Sequence, residues 1–123
     1  MKIALTTWGN QISPVFDATR MVLVAEIENG KVIGKSYKTL GPELPYTQAA
    51  RLSELEVSVL ICGAISIEFA SAIEMYGIQI IPFITGEVHQ VLDAYQKGML
   101  LMPSFQMPGC GMKHRKRFRG GHG

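Results

Sequence analysis

The chain is poor in the residues that catalysis, export and membrane insertion call for. Its 123 residues include two cysteines, three histidines and one tryptophan. The two thiols, Cys62 and Cys110, lie far apart, and the N-terminal MKIALTTWGN has no apolar h-region. No secretory signal is therefore expected, both thiols are read as reduced, and a cytoplasmic location follows as the expectation. No apolar run approaches the ~20 residues that span a bilayer. No G-x-x-x-x-G-K-[ST] is present, which excludes a P-loop. The strand-like runs Lys2–Thr7 (KIALTT) and Val57–Ile61 (VSVLI) carry no carboxylate. A two-metal nuclease needs clustered Asp and Glu on adjacent strands, which makes that chemistry the weakest reading. His89 is the one histidine before residue 99 and falls inside a helical stretch beside Gln90, away from Cys62, which argues against a Cys–His hydrolase. A non-enzymatic protein is expected.

What is abundant is unevenly placed. Met99–Gly123 (MLLMPSFQMPGCGMKHRKRFRGGHG) holds four of the seven methionines, one cysteine, two histidines, five of the twelve Lys and Arg, and no carboxylate. Residues 1–98 carry seven Lys and Arg against ten Asp and Glu, a net charge of −3, so the tail alone is +5. A dedicated nucleic-acid domain would carry its basic patch on the fold, and nucleic acid is not the expected partner. The division expected is a domain over 1–98 and a flexible Met-, Cys-, His- and Arg-rich tail over 99–123.

Within the body, Met21–Glu28 and Lys31–Lys38 are strand-like and flank Asn29-Gly30, the pair that best accepts the two positive φ angles of a tight hairpin turn. Tyr46–Glu56, about Ser66–Tyr76 and about Gly86–Lys97 have helical periodicity, the last with Val88, Val91, Leu92 and Tyr95 at i, i+3, i+4 and i+7. Val57–Ile61 and Ile78–Ile81 are apolar strands. The order β-β-β-α-β-α-β-α predicts a mixed five-stranded sheet with one antiparallel hairpin strand and helices on both faces, a three-layer α/β/α fold. Lys31, Lys35 and Lys38 protect its hairpin edge, which favours a monomer.

Ligands of open α/β sheets bind beyond the carboxyl ends of the parallel strands. Three loops meet there: Thr7–Asp17, Cys62–Ser66 and Pro82–Gly86. The last two lead into helix N-termini, which favour anions such as phosphates or inorganic clusters. Backbone N–H groups of Gly63, Ala64, Ser66 and Gly86 are candidate anion donors. Cys62 is either a thiolate ligand at a helix N-terminus or a small hydrophobe ending a core strand. Trp8 and Phe16 could shield a ligand or simply pack, and Asp17 could accept hydrogen bonds from its own loop or ligate the cargo directly. In the tail, Cys110, Met112 and His114 are candidate soft-metal donors, though one Cys and one His are half of a tetrahedral zinc site. The alternative is a solvated basic tail.

Five stretches, ISPVFD (12–17), LVAEIENGKV (23–32), ICGAIS (61–66), YGIQIIP (76–82) and GEVHQVLDAYQKGML (86–100), resemble the dinitrogenase iron–molybdenum cofactor biosynthesis family in order and spacing. That family includes nitrogenase accessory proteins and the molybdenum–copper orange protein. The resemblance implies a ribonuclease-H-like fold without the nuclease carboxylates. It also implies non-covalent carriage of an anionic metal–sulfur cluster of the iron–sulfur, iron–molybdenum or molybdenum–copper type, or its precursor, with a cluster-donor or acceptor protein as partner. Some nitrogenase members have a histidine in the loop that here reads Val15-Phe16-Asp17-Ala18. The competing expectation is a regulatory module whose basic tail binds an acidic partner or nucleic acid.

Overall fold

Alternating apolar residues in the first strand set the frame. In β1 (Lys2–Trp8), Ile3 and Leu5 point to one face of the sheet and Ala4 and Thr6 to the other, and all four are fully buried. The computed structural model describes residues 1–41, 44–100 and 103–107. β1 pairs antiparallel with β3 (Met21–Glu28), which pairs antiparallel with β4 (Lys31–Thr39). On its other side β1 runs parallel to β5 (Val57–Ile61), and β5 parallel to β6 (Gln79–Ile81). The sheet order is β4-β3-β1-β5-β6.

The sheet has six strands among the described residues, not the five expected. The addition is β2 (Gln11–Ile12), which folds back on the end of β1 with Thr7 opposite Ile12 and Trp8 opposite Gln11. Gly9, at φ +66°, permits that reversal. The Asn29-Gly30 turn is as expected, with φ of +53° and +75°.

α1 (Pro45–Glu54) and α2 (Ile67–Glu74) cover one face. There Ala49, Leu52, Phe69, Ala72 and Ile73 pack with Ala4, Val22, Val24 and Leu60. α3 (Val88–Gln96) covers the other, where Val88, Val91 and Leu92 meet Ile3, Leu5, Leu23 and Ile61. Three layers result. Ser66 caps α2, its Oγ accepting the Phe69 N–H at 3.4 Å, and the helix ends at Glu74, earlier than its periodicity predicts.

The tail does not leave the body at Met99. Leu100 is buried in the α3-side core. Beyond it, the Thr85 N–H donates to Phe105 O and the Met107 N–H to Phe83 O, so residues 103–107 pair with the loop after β6. Cys110, Met112 and His114 lie outside the described residues.

Among the described buried polar residues, Gln48 leaves two side-chain atoms without a partner and Thr6 one. Gln48 in α1 is fully buried, and neither side-chain amide atom has a hydrogen-bond partner among the described residues. An unpaired buried polar group costs ~1–3 kcal/mol, and an apolar group of the same shape removes that cost. Gln48→Met is therefore expected to raise the melting temperature by several degrees. A lower melting temperature in calorimetry would show that Gln48 is paired in solution.

Candidate functional site

The three loops meet through their backbones. Gly63, just past β5, lies so close to the first loop that a Cβ would sit 2.5 Å from both Ser13 O and Pro14 O. Only glycine permits that approach. On the same seam the Ala64 N–H donates to Pro14 O at 2.8 Å and the Phe16 N–H to Ala64 O at 2.7 Å. The third loop is laced to both. Phe83 N–H donates to Gly63 O, Ile84 N–H to Cys62 O, and Ile12 N–H to Gly86 O.

This lacing corrects the expected anion cradle. The Ala64 N–H is committed to Pro14, and the Ser66 N–H donates to Asp17 Oδ1 at 3.1 Å. Asp17 thus accepts from the N-cap of α2, 49 residues away in sequence, and not from its own loop as expected. Glu87 fills the same role at α3: its Oε1 accepts the Gln90 N–H at 3.0 Å and its Oε2 lies 3.1 Å from His89 Nδ1. Hydrogen bonding from the His89 backbone, then from its ring, holds the Glu87 carboxyl below the ordinary glutamate range. Both helix N-termini facing the seam therefore already hold a carboxylate of this chain. Gly63 serves close approach, and Gly86, at φ +132°, serves backbone conformation.

Cys62 is likewise not at a cleft mouth. It is fully buried among the α1 and α2 side of the core, and burial, helped by the negative charge of Asp17, pushes its thiol far above the ordinary range. Its neutral thiol behaves as a small hydrophobe ending β5, and the thiolate-ligand reading is set aside. Phe16 is also fully buried, edge-on to Phe69 with ring centroids 5.5 Å apart. Among the described residues, no three His, Cys, Asp or Glu side chains gather as a metal site.

A cleft does open on the outer side of the first loop. It measures about 620 Å³, within the range of small-ligand sites, and runs from the end of β1 to the start of β3 and across to β4. Trp8, Val15, Arg20, Met21 and Tyr37 give it its character. Trp8 is 72% exposed and Tyr37 50% exposed, so two aromatic faces stand at the rim. The hydroxyls on its wall are turned to backbone: Thr7 donates to Met21 O, and Ser13 and Thr19 both donate to Val15 O. Among the described residues that line it, none is Asp, Glu, His or Cys, and Arg20 is the cation.

Of the residues expected from sequence, Trp8 alone lines this cleft. Arg20, Met21 and Tyr37 escaped notice because nothing local marks them. They converge only when β3 pairs with both β1 and β4, placing Met21 opposite Thr7 and Leu23 opposite Tyr37.

The fold is a small three-layer α/β/α domain with a cleft beside its first loop. The family model described as dinitrogenase iron-molybdenum cofactor matches residues 1–98, and the chain belongs to that family. Solved structures with the same fold include PH0822 (TM-score 0.75, 16% identity, 80% of this chain and 92% of that one). The apo form of the orange protein from Desulfovibrio gigas is also similar (TM-score 0.67, 19% identity, 80% and 88%). So is a dinitrogenase-like protein from Methanocaldococcus jannaschii (TM-score 0.64, 23% identity, 80% and 90%). No curated protein matches the sequence. No helix among the described residues is long and apolar enough to cross a membrane.

The burial of Cys62 gives a chemical expectation. In a Cys110→Ser background, Cys62 should resist a thiol-alkylating reagent in the folded protein and react fully in denaturant. Rapid labelling of the native protein at neutral pH would show that the thiol reaches solvent.

Proposed function

We propose that this protein binds and carries an anionic metal–sulfur cluster, or a precursor of one, without catalysing a reaction on it. The cleft beside Trp8 is the seat of that cargo. The observation that carries the reading is the make-up of the cleft: a cation, two aromatic rims and a thioether, with no carboxylate among its described lining residues. Sulfide-bridged clusters are large, polarisable and weakly hydrated, so aromatic and thioether surfaces suit them better than a hard oxygen cage. Membership of the iron–molybdenum cofactor family and likeness to the orange protein fold support the same cargo class.

Each element has a separate task in this reading. Arg20, which already has a partner within the protein, adds the positive charge of a guanidinium to the cleft wall. Trp8 and Tyr37 cover apolar faces of the cargo and keep water from them. The open rim allows release, which a carrier requires. Cys110, Met112 and His114 would add soft donors for metal arriving from or leaving to a donor or acceptor protein. A reduced, cytoplasmic setting suits sulfide-containing cargo.

Trp8 is the sole tryptophan, so it reports on its own cleft. Titration with tetrathiomolybdate and copper(I) under anaerobic conditions should quench its fluorescence. Arg20→Ala should weaken binding by on the order of tenfold or more, the effect of losing the positive charge of the cleft wall. Absence of quenching, or equal affinity in a folded Arg20→Ala variant, would count against this site.

A further inference from the structure

β4 is the outermost strand on the hairpin side of the sheet, and no strand among the described residues pairs with its far edge. It is nine residues long and exposed at every position but one. Such an edge offers a row of unpaired N–H and C=O groups to another extended chain. Its charge is one-sided. Lys31, Lys35 and Lys38 lie on it with no carboxylate on the strand, although residues 1–98 as a whole carry more acid than base. None of the three lysines is in an ion pair among the described residues, whereas Lys2, Arg51 and Lys97 each have one.

The register spreads these charges over both faces. Lys35 lies opposite Ala25, whose side chain joins the α3-side core, and Lys38 lies opposite Val22, whose side chain joins the α1-side core. Side chains alternate along a strand, so Lys35 and Lys38 flank the edge from above and below. Ile33 and Tyr37, both half-exposed or more, supply apolar contact along the same strand. We propose that the free edge of β4 docks an acidic extended segment of a partner protein as an added antiparallel or parallel strand, with Lys31, Lys35 and Lys38 reading its carboxylates.

Charge decides among the possible occupants. A second copy pairing through β4 would bring two sets of three lysines together with no carboxylate on either strand, and like charges across a pair are destabilising. The chain's own last residues, 108–123, carry five Lys and Arg and no acid, so they are repelled in the same way. A strand rich in Asp and Glu gains both the backbone ladder and the charge pairing. Position adds a consequence: Tyr37 lies both on β4 and in the wall of the cleft, so a segment docked on this edge ends beside it. That the partner is a cluster donor or acceptor rests on the proposed function; the docking itself does not.

The test uses the full, cluster-free chain and a synthetic eight-residue peptide alternating Glu and Val, with a Lys–Val peptide as control. Amide hydrogen exchange should slow at β4 positions on adding the acidic peptide, and binding should weaken as salt rises. The triple variant Lys31→Gln, Lys35→Gln, Lys38→Gln, whose changes are all at exposed positions, should bind roughly tenfold more weakly. The proposal is overturned if β4 amides are unaffected, if both peptides bind alike, or if the chain dimerises through β4. Because no cluster is present, none of these outcomes bears on cargo binding in the cleft.

Discussion

The backbone seam between Ser13–Phe16 and Gly63–Ala64 is the constraint on which the rest of the site depends. It exists because position 63 lacks a Cβ, which lets two loops approach to hydrogen-bonding distance. Once they are joined, Asp17 reaches the N-cap of α2, and Phe16 turns inward onto Phe69. The chain between β1 and β3 is held taut on one side, and its other side forms the wall of the cleft. The same lacing engages two of the backbone donors expected to meet an anion, the N–H groups of Ala64 and Ser66. In the proposed function the cargo therefore sits not in the carboxyl-end crevice but in the outer cleft, where an Arg and aromatic rims stand in place of helix dipoles.

How much of this was legible in the sequence depends on the range of the interaction. The hairpin was legible because Asn29-Gly30 encodes its turn in two adjacent residues. The layer order was legible because helix and strand periodicities differ and crossovers have one hand. The meeting of three loops followed from the parallel strands. Their mutual hydrogen bonding did not, because it rests on a close approach whose only trace in sequence is a glycine. Cys62 shows the same limit. Its place after an apolar strand and before a helix fits a thiolate and a buried thiol equally, and only depth in the core separates the two. Two residues of β2 were missed because a two-residue pairing has no periodicity to detect.

The cleft was the least legible part. Arg20, Met21 and Tyr37 form no motif, and their convergence is a product of strand register. The division of labour they suggest is simple. The core supplies rigidity through tightly laced loops, and the outer surface supplies a shallow, polarisable, cationic seat. In the proposed function, a seat of that kind would hold an anion without enclosing it, the compromise a carrier has to make between retention and release.

The most direct test of cluster carriage is the state of the protein as isolated. Anaerobic purification without an affinity tag, followed by elemental analysis, sulfide determination and a visible spectrum, reads the cargo without assuming its identity. Cluster carriage predicts iron, molybdenum or copper together with sulfide and a charge-transfer band. A colourless, metal-free protein that also takes up no supplied cluster would contradict it.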